Sequence, residues 1–155
     1  MLTLVDYAKQ NHWANSVFRQ ALKDDFDKFK DEKTPYGTFA ELVYHIPSSV
    51  YFWFKRTGKF HFEIKKLQEM TDVNNLFSMW ENIDQEWINC LINEDPNTIL
   101  RYTTSKGKEY EITLDKLVNQ LNNHQYYHRG HIAYFSRLNG KILPQTDALV
   151  YYRTV

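Results

Sequence analysis

One unbroken stretch, from Thr113 to Gly140, constrains this chain more than any other. Leu114, Leu117, Val118, Leu121, His124, His128, Ile132, Phe135 and Leu138 recur along it in steps of three, four and seven, the spacing of a helix with one inward stripe. Two members of that stripe are histidines. Because an α-helix turns once per 3.6 residues, His124 and His128 stack on one face, where their imidazoles can share one divalent metal. Such a pair lacks a third ligand. Taken alone, an HxxxH spacing is also met in core or surface histidines bonded to carbonyls or water, and His131 follows three residues further on.

At 155 residues the chain is expected to form one domain, residues 1–155, with a core large enough to need no disulfide. Nineteen basic residues balance nineteen acidic ones, so no global field draws the protein to nucleic acid or to anionic lipid. The N-terminal residues lack a basic region followed by a long apolar run, and no window approaches a membrane span. A cytoplasmic protein is expected, with neither nucleic acid nor membrane as partner. Cys90 stands alone within Trp87-Ile88-Asn89-Cys90-Leu91-Ile92 and reads as a small core residue rather than a nucleophile.

Three further helices precede the long one. The first is expected from Thr3, as N-cap, to about Lys30, with a frayed, charge-rich end. Thr34-Pro35-Tyr36-Gly37-Thr38 is a turn, and Thr38 with Glu41 makes a capping box for a second helix that runs to Gly58, with a kink expected at Pro47. Residues 59–71 are ambiguous, with Phe60-His61-Phe62 alternating like a short strand. A third helix, capped by Asp72 or Thr71, carries the stripe Leu76, Trp80, Ile83, Trp87 and Leu91. Two β-rich runs, Thr98–Thr104 and Glu109–Thr113, flank a glycine-containing turn and read as a hairpin. The tail from Ile142 to Arg153 is too apolar for a free end and is expected to pack back on the helices. The expected fold class is all-α: a four-helix bundle with a small β-hairpin between its third and fourth helices.

His45 lies one turn beyond Leu42 in the second helix, near that helix's inward boundary, and helices of a bundle contribute ligands to shared metals. A lone histidine on an apolar helix is more often structural. Joined with His124 and His128, it would make a three-histidine site with positions left for water and substrate. Imidazole is unselective, so zinc, nickel, iron or manganese would suit. HExxH, paired cysteines and Glu-x-x-His are all absent, which favours a mononuclear site. Glu41 precedes His45 by four residues and would orient a ligand or act as a base, although its capping role explains it equally well.

These residues carry a resemblance. Leu42-Val43-Tyr44-His45-Ile46, the hairpin, then His124-Gln125-Tyr126-Tyr127-His128-Arg129-Gly130-His131-Ile132, resemble the DinB/YfiT-like superfamily of metalloenzymes, whose pattern there is His-x-x-x-His-Arg-Gly-Gln-Ile. Trp13-Ala14-Asn15 is similar to the family's opening, and Pro144-Gln145-Thr146-Asp147 with Tyr151-Tyr152-Arg153 to its tail. The resemblance implies a bundle, often a homodimer, with a divalent metal, commonly nickel or zinc, on His45, His124 and His128. It also implies relatives that include thiol-dependent transferases and an isomerase using a low-molecular-weight thiol. Two departures stand out. His131 replaces the usual glutamine, as a fourth ligand, a proton shuttle or neither, and Pro47 interrupts the second helix.

The resulting expectation is a metal-dependent enzyme that activates water or a low-molecular-weight thiol for attack on a small electrophilic substrate, as a hydrolase or thiol S-transferase. Arg129 would place a substrate anion or sit in a structural salt bridge. The competing expectation is a non-catalytic stress-response protein, stapled by its metal or binding a protein partner.

Overall fold

The computed structural model describes residues 2–70 and 72–155. Four long helices form the bundle: α1 (Leu4–Leu22), α3 (Phe39–Arg56), α4 (Val73–Leu91) and α5 (Leu114–Leu138). Short elements join them: α2 (Phe26–Phe29), a two-residue ladder of β1 (Lys33–Thr34) with β2 (Gly37–Thr38), the hairpin β3 (Ile99–Thr103) with β4 (Glu109–Thr113), and the terminal α6 (Ala148–Tyr152).

The first helix is shorter than the sequence suggested. It stops at Leu22 rather than near Lys30, because Lys23-Asp24-Asp25 offers nothing to bury. The chain restarts as α2, which turns Phe26 and Phe29 back onto Phe39, each with ring centroids 6.1 Å from it. The expected capping box of Thr38 with Glu41 forms, and Thr3, expected as an N-cap, makes a second box with Asp6. Asp72 caps α4 by accepting the Asn75 N–H at 3.0 Å, and the other candidate cap, Thr71, lies outside the described residues. Phe60-His61-Phe62 forms no strand; Phe60 and Phe62 instead lay their rings against Tyr51.

α1 packs on α4 and α5, and α3 packs on the same two, so the order around the bundle is α1, α4, α3, α5. α1 therefore stands diagonal to α3 and α4 diagonal to α5, while α3 and α4, consecutive along the chain, pack side by side. The terminal segment returns to α1, where Tyr151 meets Trp13 at 5.5 Å between centroids. Among the described residues no helix is long and apolar enough to cross a membrane.

The core has two apolar halves. Val50, Phe54, Ile83, Trp87, Leu117 and Leu121 belong to one, and Phe18, Leu42, Ile46, Leu76, Trp80 and Ile132 to the other. At the same level of the bundle a buried polar group from three helices joins them: Asn11, Asn15 and Arg19 of α1, Asp84 of α4, and Gln125, His128 and Arg129 of α5. Buried polar atoms are expensive unless bonded. Most of these are bonded to one another: Asn15 Nδ2 donates to Asp84 at 3.0 Å and to Gln125 Oε1 at 3.2 Å, and Arg19 Nη1 donates to Asp84 at 2.9 Å.

A candidate metal centre between two helices

α3 and α5 meet with His45 opposite His124 and His128. The Nε2 atoms of His45 and His124 stand 2.9 Å apart, and the ring centroids of the three pairs lie 4.4 to 5.0 Å apart. One nitrogen from each ring lies within 4.8 Å of the others. The exposure is graded, with His45 open to solvent, His124 half-buried and His128 buried.

The electrostatics favour neutral imidazoles. Burial, then the neighbouring His124, His45 and His131, hold the His128 ring down at about 4. Burial lowers His124 as well, with His45 adding to the effect, and lowers His45. Neutral rings present lone pairs, the form that binds metal. Two ligand nitrogens at about 2.0–2.1 Å from one ion would be about 3 Å apart for a right-angled bite and about 3.4 Å for a tetrahedral one, so the 2.9 Å gap fits a shared ion. His128 Nδ1 is moreover buried without a hydrogen-bond partner. These residues fit a divalent metal.

Acid should expose the same feature as a loss of stability. Unfolded, His128 titrates near its ordinary 6.5, whereas folded it resists protonation until about 4. Between those values the unfolded chain binds the proton first. Metal-free protein should therefore lose stability as pH falls through that interval. Thermal unfolding in chelator from pH 7 to 4 measures it, and His128→Ala should flatten the dependence.

A second group adjoins the cluster. Tyr36, carried by the β1–β2 turn, donates to or accepts from the Tyr127 hydroxyl at 2.7 Å, and its ring lies 5.3 Å from His128 and 4.8 Å from His131. Glycine is needed in this turn. Gly37 has φ +98°, and a Cβ there would overlap the Glu41 carboxylate. A cavity of about 340 Å³ opens beside His45, lined also by Tyr36, Glu41, Tyr44 and Ser48. A larger hollow of about 720 Å³, near Leu4, Tyr7, Leu91 and Pro96, contains none of the three histidines and has no comparable chemistry.

The remaining candidates separate by placement. Glu41 keeps its capping bond, accepting the Thr38 N–H at 2.7 Å, and also lines the cavity. His131 joins Tyr36 and Tyr127 rather than the three-histidine cluster. Arg129 is turned into the bundle, donating to Asn11 and Asn15 at 2.9 Å each, with its guanidinium 4.7 Å from the Tyr126 ring; burial draws it down to about 10. Among the described residues it forms no direct salt bridge. The half-buried Cys90 thiol is raised by burial, which suppresses the thiolate.

Fold and site together define a four-helix bundle with a three-histidine cluster between two of its helices. The chain belongs to the DinB family, whose sequence profile matches residues 1–154. A DinB-like protein from Bacillus cereus ATCC 10987 is similar in structure with a TM-score of 0.65 at 19% identity, over 90% of this chain and 89% of that one. YfiT from Bacillus subtilis, described as a probable metal-dependent hydrolase with an unusual four-helix bundle topology, is similar with a TM-score of 0.63 at 18% identity, over 86% of each chain. No curated protein shows significant sequence similarity to the chain.

Proposed function

We propose that the chain is a metal-dependent hydrolase acting on a small electrophilic substrate, with one divalent ion, nickel or zinc foremost, held by His45, His124 and His128. The observation that carries this reading is the convergence of three neutral imidazoles from two helices at the edge of a cavity. The description of the structurally similar YfiT supports it. When bound, such an ion acidifies a coordinated water or low-molecular-weight thiol enough to supply a nucleophile near neutral pH.

The chain's own groups then divide the work. His128, the most buried of the three, closes the inner side of the site, while the open edge of His45 leaves the cavity side accessible. Glu41 has one oxygen committed to the Thr38 N–H, leaving the other free to accept a proton or a substrate N–H. Tyr36, Tyr127 and His131 form a hydrogen-bonding wall beside His128, placed to meet a substrate oxygen.

Protein purified without an affinity tag, analysed for metal and assayed on ester, amide and thioester panels with and without added thiols, tests the reading. One ion per chain is expected, with hydrolysis that tracks occupancy and is lost in His45→Ala. Thiol-dependent turnover alone would identify a transferase. A chain without stoichiometric metal, or turnover indifferent to chelation, would overturn the proposal.

A further inference from the structure

The polar layer contains a directed path that ends beside the histidines. Its starting groups admit one orientation each. Asp84, 1% exposed, accepts from Asn15 Nδ2, and Arg129, 2% exposed, can only donate and does so to Asn15 Oδ1 at 2.9 Å. With both ends of its amide fixed, Asn15 presents its second N–H to Gln125 Oε1. The Gln125 amide is thereby fixed too, and its Nε2 donates to the Ile46 carbonyl at 2.9 Å. Gln125 is fully buried.

Ile46 lies where α3 has least support of its own. Pro47 cannot donate to the Val43 carbonyl, and in the same turn side-chain hydroxyls bond carbonyls: Ser48 to His45 at 3.2 Å and Ser49 to Ile46 at 2.8 Å. A helix opened at a proline can tilt. The Gln125 bond crosses from α5 to α3 at this point, and its two ends are sequence neighbours of His124 and His45. Any tilt of α3 at Pro47 would change the gap between His45 and the two histidines of α5.

We propose, resting on the reading of the three histidines as a metal site, that Gln125 is a positioning residue for that site, latching α3 to α5 so that His45 meets His124 and His128 at ligating distance. The latch makes a ligand set out of two helices that share no covalent neighbourhood. Partners behind metal ligands typically govern affinity by about 10–100-fold.

Cobalt(II) titration tests this, because the visible spectrum of bound cobalt reports ligand geometry and competition with a chelator reports affinity. Gln125→Met keeps the side chain's size and loses both bonds, while Gln125→Asn is one methylene too short to reach. Leu117→Val, a core change remote from the latch, serves as a stability control. Either Gln125 variant should bind cobalt about 10–100-fold more weakly and with a shifted visible band. Leu117→Val should lower thermal stability while leaving affinity and spectrum as in the wild type. Wild-type affinity and spectrum in both Gln125 variants, or weakening in Leu117→Val that matches theirs, would overturn the positioning role. If the wild-type protein takes up no cobalt, the metal-site reading itself falls.

Discussion

The His128→Ala variant should fail to retain a divalent ion under conditions that saturate the wild-type protein. His128 is the one ligand candidate inside the bundle, and His45 and His124 alone leave a two-imidazole site open to water. The loss of affinity should exceed the about 10–100-fold that removal of a partner behind a ligand costs. Free metal at a hundred times its dissociation constant stabilises a folded protein by about 2.7 kcal/mol. For a chain of this length that corresponds to a rise in melting temperature of about 5–11 °C. The wild type should show that rise on adding metal, and His128→Ala should not. Comparing each protein with and without metal removes the variant's own packing change from the result. A full metal-induced rise in the variant would mean that the ion sits elsewhere.

The Asp84→Ala variant should be the most damaging single change to the fold outside the apolar core. Asp84 accepts from both Arg19 and Asn15 and is itself buried. Its removal leaves Arg19 with Glu81 at the half-open rim and deprives Arg129 of its nearby carboxylate. Breaking a buried charge pair by deleting one partner costs about 3–5 kcal/mol. The melting temperature should fall by about 6–20 °C, and urea unfolding should shift accordingly. A loss under about 1 kcal/mol would show that Glu81 alone suffices for Arg19.

Those two residues differ in how visible they are in the sequence. His128 is legible because a polar residue on an apolar stripe at i, i+4 from another of its kind invites a chemical explanation. The Thr38 and Glu41 cap is legible for a local reason, since both partners lie within one turn. Asp84 and Gln125 escape because they sit just off the stripes by which helices are recognised, and their partners are 69 and 110 residues away along the chain. A signal does exist in α1: Ala8, Asn11, Asn15, Phe18 and Leu22 share one stripe, so the two asparagines occupy core positions. Tyr36 left no such trace. Its turn is readable from Pro35 and Gly37, but its place over His128 depends on how β1 and β2, which pack on α3, carry the turn to α5. The apolar pattern overstates the length of α1 because Phe26 and Phe29 continue it past a charged break, whereas their packing comes from a change of direction.

Drawing its members from α3 and α5, which are neighbours in space but not in sequence, also fixes when the histidine cluster can exist. His45 and His124 are 79 residues apart, and α4 and the β3–β4 hairpin intervene before α5 is made. As the chain emerges during synthesis, His45 has no partner in the cluster until residue His124 of α5 has been added. The cluster is thus assembled only once all four long helices exist, and an ion held there is gained by the folded bundle rather than by its early fragments.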